Sequence, residues 1–305
     1  MTTTRQGEHV GTARDPLRKK APRSVQRYGR SAALSLGQLT AGLRCQPDFV
    51  LSGAQRSGTT SLFRALLQHP QVVRPAFHKG VNYFDINYPR GGRWYAGHFP
   101  LRATARLRTR GTGRPSVFEA SGYYLFHPLA IHRLVADVPE VKVIVLLRDP
   151  VERAFSGYKH EVARGFETES FERAVELEDE RLAGEVERMV ADPAYNSWSH
   201  RHQGYVHRGQ YADQLERILE VLPRERLHLI ESDDFFRAPA EVFDGVTTFL
   251  SISPSRPRQF DQYNARPGKM SPEVRARLEE HYRPHDERLT AILGRAPGWT
   301  ERREN

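Results

Sequence analysis

A short apolar run that ends in a glycine-spaced loop and passes straight into a helical pattern narrows the fold most. Asp48-Phe-Val-Leu-Ser52 reads as a buried strand closing on Gly53, and Gly53-Ala-Gln-Arg-Ser-Gly58 reads as a loop. From residue 59 to 68 the apolar residues fall at 62, 63, 66 and 67, which is helical spacing, and His69-Pro70 stops the helix. Glycines let such a loop turn sharply and bring its amide N–H groups close to a ligand. The helix N-terminus adds unpaired N–H groups and a partial positive charge, so an anion site is expected. Thr59, Thr60 and Ser61 add hydroxyl donors. The loop comes within one residue of the triphosphate pattern G-x-x-x-x-G-K-[ST]: Thr59 stands in the lysine position, and a cation appears inside the loop at Arg56. An ordinary ATPase is therefore not expected.

The strongest strand is Val141-Lys-Val-Ile-Val-Leu-Leu147, whose near-continuous apolar run suits a parallel strand covered on both faces. Arg148-Asp149-Pro150 follows, with Asp149 a natural N-cap and Pro150 a natural first helical residue. In an open α/β sheet ligands bind outside the carboxyl ends of the strands, so Arg148 should face the same crevice as the glycine loop. Ser156, two turns into the next helix, would join it; together they suit a second phosphate. Further strands are expected at 116–120 and 227–230, and helices at 31–43, 128–138, 151–164, 167–190, 210–222, 239–250 and from 271. Residues 71–115, rich in Gly, Pro, Arg and aromatics, read as loops with short helices. Strands alternating with helices imply an α/β layer fold around a parallel sheet.

Charge is spread unevenly. Of the net +9, residues 1–44 hold +7, with nine basic residues against Glu8 and Asp15. This predicts a basic, flexible N-terminal segment and a single domain over 45–305, with no nucleic-acid partner expected for the body. A weak contact with an anionic membrane is the reading such a segment allows. Cys45 is the single cysteine, so no intrachain disulfide can form; no apolar run reaches the length of a membrane span; and Met1-Thr-Thr-Thr-Arg5 lacks a signal peptide's apolar run. A cytoplasmic protein is the expectation. The histidines His127, His200, His202 and His207 match no standard ligand spacing, and no metal is expected.

Two motifs together resemble a known family. Gly53-Ala-Gln-Arg-Ser-Gly-Thr-Thr-Ser-Leu62 resembles the 5′-phosphosulfate loop of sulfotransferases that use PAPS (3′-phosphoadenosine 5′-phosphosulfate). Val143-Ile-Val-Leu-Leu-Arg-Asp-Pro-Val-Glu-Arg-Ala-Phe-Ser-Gly-Tyr158 resembles their 3′-phosphate motif. Val81-Asn-Tyr-Phe-Asp85, Trp94-Tyr95, Phe118-Glu-Ala-Ser-Gly-Tyr-Tyr124 and the stretch from Gly209-Gln-Tyr211 to Leu250 are similar to blocks of the heparan-sulfate and carbohydrate type. The likeness spans roughly residues 46–295. It implies a P-loop-like three-layer fold, transfer of a sulfuryl group from PAPS to a hydroxyl or amine, and PAP as product. It implies a donor site of Arg56, Ser57, Gly58, Thr59, Thr60, Ser61, Arg148 and Ser156, closed over by Gly268 and Lys269. Arg56 would occupy the family's catalytic lysine position.

The acceptor side departs from the pattern. Where heparan-type members have a Lys-Glu pair this chain has Lys79-Gly80, Asn82 replaces a histidine, Ala120 replaces a lysine, and Asp85 is retained. His78, Asp85 and Glu119 are then the candidate general bases, His78 having a suitable ordinary pKa. The acceptor is a small molecule or glycan: a carbohydrate, a lipid or a secondary metabolite. A P-loop kinase or NTPase, or a non-catalytic PAP-binding protein, are the alternatives; the former wants the lysine that Thr59 replaces.

Overall fold

The computed structural model describes residues 33–75, 79–261 and 268–304. Five strands, β1 (Phe49–Gly53), β2 (Val72–Val73), β3 (Ser116–Ala120), β4 (Lys142–Leu147) and β5 (Leu227–Glu231), form one sheet in the order β2-β3-β1-β4-β5. Every pairing is parallel. The three-layer α/β expectation holds, and the alternation of side chains shows why. Val50, Val143, Val145 and Leu147 point into one apolar cluster, while Phe49, Leu51, Ile144 and Leu146 point into the other. A strand packed on both faces needs apolar residues at every position, and β1 and β4 supply them. The Phe49 and Phe118 rings stack at 4.9 Å across adjacent strands.

The short strand β2 lies inside the region read as loops, and the segment 167–190 is three short helices rather than one, interrupted at the left-handed Gly184. Two helices position the site. α1 (Thr59–Leu66) leaves the β1 loop, and α2 (Pro150–Val162) leaves β4 with Asp149 accepting from the Val151 N–H at 2.9 Å. β1 and β4 are neighbours with Leu51 opposite Ile144, so the loops at their carboxyl ends meet. A third cluster (Val151, Ala154, Phe171, Tyr205, Leu278, Tyr282) packs the flank of α2 against the C-terminal helix Pro272–Leu293.

Candidate active site

The glycine loop is built by its backbone. Gly58 caps α1 in the left-handed region (φ 85°), and a Cβ there would lie 3.1 Å from the Phe236 ring. Arg56 takes a left-handed φ of 75°, an unusual conformation for a side-chain-bearing residue. The Ala54 N–H donates to the Leu146 carbonyl at 2.6 Å, fastening the loop to β4. In the first turn of α1 the Ser61 and Leu62 N–H groups donate to the Gly58 carbonyl, at 2.9 and 3.2 Å, and the N–H groups ahead of them have no partner inside the helix. Ser57 is fully buried and Ser61 nearly so; Thr59 is buried as well and Thr60 half-buried, and the hydroxyls of both threonines accept from Lys79.

Arg148 and Ser156 converge on the same loop. Arg148 Nη1 donates to the Arg56 carbonyl at 3.3 Å, and Arg56 Nε donates to Ser156 Oγ at 3.1 Å. Arg148 also faces Glu152 at 3.7 Å, and the Tyr211 hydroxyl holds the Arg148 carbonyl at 2.9 Å. Beside Arg148 opens a cleft of about 530 Å³ lined by Asp149, Glu152, Arg275, Arg302 and Arg303. The chain at Gly268 lies over the adjoining face of α2, where a Cβ would fall 3.2 Å from Lys159 and 3.5 Å from Phe155. Lys269 is exposed beside it. The structure thus brings Arg56, Arg148 and Ser156 together at one loop, with Gly268 over the adjoining helix.

On the acceptor side the carboxylates differ. Glu119 has 0% exposure and both of its oxygens are used. Oε1 accepts from the hydroxyls of Tyr95 and Tyr124, each at 2.9 Å; Oε2 accepts from the Val81 N–H at 2.8 Å and from Ser121 Oγ at 3.2 Å. Burial raises its pKa and these hydrogen bonds pull against that rise. Glu119, a candidate base in the sequence, is ringed by these hydrogen bonds and holds segment 81–83 on the end of β3. Asp85 is the opposite case. Its Oδ1 accepts from the Ile86 N–H at 2.6 Å, while Oδ2 is buried with no hydrogen-bond partner among the described residues. Desolvation, reinforced by the neighbouring Glu119 charge, lifts its pKa to about 7. His78 lies outside the described residues.

Two residues given no role by the sequence reading stand at the loop. Lys79 Nζ donates to Thr59 Oγ1 at 3.2 Å and Thr60 Oγ1 at 3.1 Å, and burial lowers its pKa to about 8. Its signal was present as the lysine of the Lys79-Gly80 dipeptide, but the pairing with α1 is a tertiary contact. Arg208, 4% exposed, donates to Gln55 Oε1 of the loop and to the carbonyls of His200 and Arg201, both at 2.9 Å. Its guanidinium lies 5.5 Å from the Tyr123 ring and 4.8 Å from the Phe126 ring, and burial lowers its pKa to about 10. No local sequence pattern announces it.

Residues 46–267, more than half of the chain, match the sulfotransferase domain family. The chain belongs to the sulfotransferase family. It is 31% identical to a sulfotransferase of Alicyclobacillus acidocaldarius of known structure, with a TM-score of 0.60 over 82% of this chain and 97% of that one. It is 26% identical to the membrane-associated sulfotransferase kil1 of Dictyostelium discoideum, over 84% of this chain and 67% of the relative. It is 28% identical to the bifunctional heparan sulfate N-deacetylase/N-sulfotransferase 3 of Mus musculus, over 83% of this chain but 31% of the relative, so it spans about a third of that protein's length. The chain is a PAPS-dependent sulfotransferase with a P-loop-like fold. PAPS is the donor and PAP the product. The kinase alternative falls with this assignment.

The cytoplasmic expectation is corrected by the same comparison, since a relative matched over most of this chain is named as membrane-associated. A domain that needs no disulfide has the same cysteine count in either redox compartment, so Cys45 carried no information on location. No helix among the described residues is long and apolar enough to cross a membrane.

Proposed function

We propose that the loop from Arg56 to Ser61 holds the 5′-phosphosulfate of PAPS, that Arg148 and Ser156 hold its 3′-phosphate, and that Gly268 and Lys269 close over the nucleotide. The observation that carries this is the convergence of Arg148 and Ser156 on Arg56, one on its backbone carbonyl and the other on its guanidinium, which brings the two anion sites to one residue. Bound there, PAPS supplies the sulfuryl group; the protein supplies alignment and charge. The acceptor oxygen or nitrogen attacks sulfur in line, the bond from sulfur to the phosphate oxygen breaks with its electron pair staying on PAP, and the acceptor proton leaves to a base. Asp85 is the base this geometry favours, because one oxygen is unpaired and its pKa is near neutrality. Glu119 acts as a positioning residue.

The acceptor is a hydroxyl or amine, and a glycan is supported by relatives named for heparan sulfate. The domain is residues 45–305, and the basic segment 1–44 makes a weak contact with anionic lipid. Calorimetric titration with PAP tests the donor site. Wild type should bind at micromolar Kd, and Arg148→Ala should weaken binding by about tenfold or more, or ~1.4 kcal/mol. A folded wild type that does not bind PAP would overturn the assignment.

A further inference from the structure

The loop's own cation has a contact on the 3′-phosphate side of the proposed donor site. Arg56 stands where the family places its lysine, and its Nε donates to Ser156 Oγ, one of the two residues proposed for the 3′-phosphate. The cation over the other side, at the first turn of α1, is Lys79. Its ammonium touches the hydroxyls of Thr59 and Thr60 together, and Thr59 is the residue that replaces the lysine of the triphosphate loop. A lysine arriving from outside the loop therefore occupies the space that the loop has lost a lysine from.

We propose that Lys79 is a catalytic residue of this sulfotransferase: it holds the sulfuryl oxygens of PAPS and carries the negative charge that develops on the bridging oxygen as the sulfur–oxygen bond breaks. This rests on the donor site argued above and reassigns the charge-stabilising role within it from Arg56.

Three further observations support the assignment. Lys79 is fixed at the backbone, its carbonyl accepting from the Ala120 N–H at 3.0 Å at the end of β3, so its position is set by the sheet. No acidic side chain pairs with its ammonium among the described residues; its hydrogen-bond partners are two neutral hydroxyls, and the Phe63 ring lies 5.7 Å away. A half-buried ammonium with no carboxylate partner is under-solvated, and an arriving anion compensates for that. Lysine also presents a compact point charge with movable donors, whereas the guanidinium of Arg56 is a rigid fork suited to the bidentate hold on phosphate. In the transfer, the acceptor–sulfur bond forms as the sulfur–bridging oxygen bond breaks; the electron pair stays on PAP beside the Lys79 ammonium, and the acceptor proton goes to Asp85.

Because Lys79 is assigned to the sulfuryl group and Arg148 to a phosphate that PAP retains, the two can be separated by binding alone. Titrations with PAPS and with PAP should be run on wild type, Lys79→Met, Lys79→Gln and Lys79→Arg, each checked for folding by circular dichroism. Lys79→Met and Lys79→Gln should weaken PAPS by about tenfold or more while changing PAP by less than about threefold, and Lys79→Arg should recover part of the loss. Equal losses for both nucleotides, or unchanged PAPS affinity in a folded variant, would overturn the role of Lys79 and leave the donor site standing. Wild type that binds neither nucleotide would overturn the donor site itself, and this inference with it.

Discussion

Gly80 explains at one residue why this chain departs from the heparan-type pattern. A Cβ there would lie 2.4 Å from the Ala120 carbonyl oxygen and 2.7 Å from Ser121 Oγ. Backbone cannot yield to such a contact as a flexible side chain can, so the segment lies against β3 only because residue 80 has no side chain. The Ala120 N–H to Lys79 carbonyl bond and the Val81 N–H to Glu119 bond flank it on either side. Gly80→Ala should therefore destabilise by about 2 kcal/mol or more, read as a lower urea midpoint at unchanged m-value. A midpoint equal to wild type would show that the segment does not pack this closely. The loss of the family's glutamate at this position was legible in the sequence; its steric cause was not, because it depends on which backbone lies opposite. The same limit applies to the carboxylates. Glu119 and Asp85 look alike as letters, and only their surroundings distinguish them, hydrogen bonds on both oxygens of one and a bare oxygen on the other.

At the scale of elements, what the sequence made legible is what local pattern controls. The apolar runs of β1 and β4, the Asp149-Pro150 helix start and the glycine loop all follow from neighbours along the chain. The two-residue β2 has no periodicity to detect, and the short helix α3 (Trp198–His202) is held mainly by tertiary partners. His200 shows this. Its Nδ1 lies 2.7 Å from the Tyr123 hydroxyl, its ring stacks on Phe126 at 4.1 Å, and its carbonyl takes a bond from Arg208. Burial, with Arg208 nearby, lowers its pKa to about 2, and burial lowers that of His127 to about 3. An unfolded chain binds protons on both near the ordinary value of 6.5, so between there and about 3 the unfolded state holds more protons. Stability from this packing is complete above pH 6.5 and is lost as the pH falls, by about 1.4 kcal/mol per pH unit for each histidine once well below that value. Asp85, with its raised pKa, works in the opposite direction below 7. The histidine contribution is isolated by comparing His200→Asn with wild type: the melting temperature of wild type should fall more steeply between pH 7 and pH 5. Parallel curves would mean that His200 is solvated in the folded protein.

At the scale of the molecule, the glycine loop and residues 33–44 belong to different ends of the sheet. The loop lies at the carboxyl end of β1, whereas residues 33–44 lead into its amino end. There the side chains are unusual for a surface: Leu36, Leu39 and Leu43 are 60%, 76% and 62% exposed. Arg102, from the neighbouring helix Arg102–Arg108, donates to the carbonyls of Gly42 and Arg44 and fixes this segment against the domain. Exposed leucines spaced three and four apart within a segment of charge +7 are complementary to an anionic bilayer, where apolar insertion and attraction to headgroups add. Attraction of this kind is screened within about 8–10 Å at physiological salt, so it should be weak there and strong at low ionic strength. The full chain should co-sediment with phosphatidylserine-containing vesicles and not with pure phosphatidylcholine, and added salt should release it. Replacing Leu36, Leu39 and Leu43 together by Ser should cut vesicle binding by about tenfold while PAP affinity stays at the wild-type value, since none of the three approaches the loop. Equal binding to neutral vesicles would assign the face to apolar contact alone, and no binding to either would leave those leucines to a protein partner or a second copy of the chain. In either of those cases the electrostatic contact proposed for residues 1–44 fails, while the donor site at the other end of the sheet is unaffected.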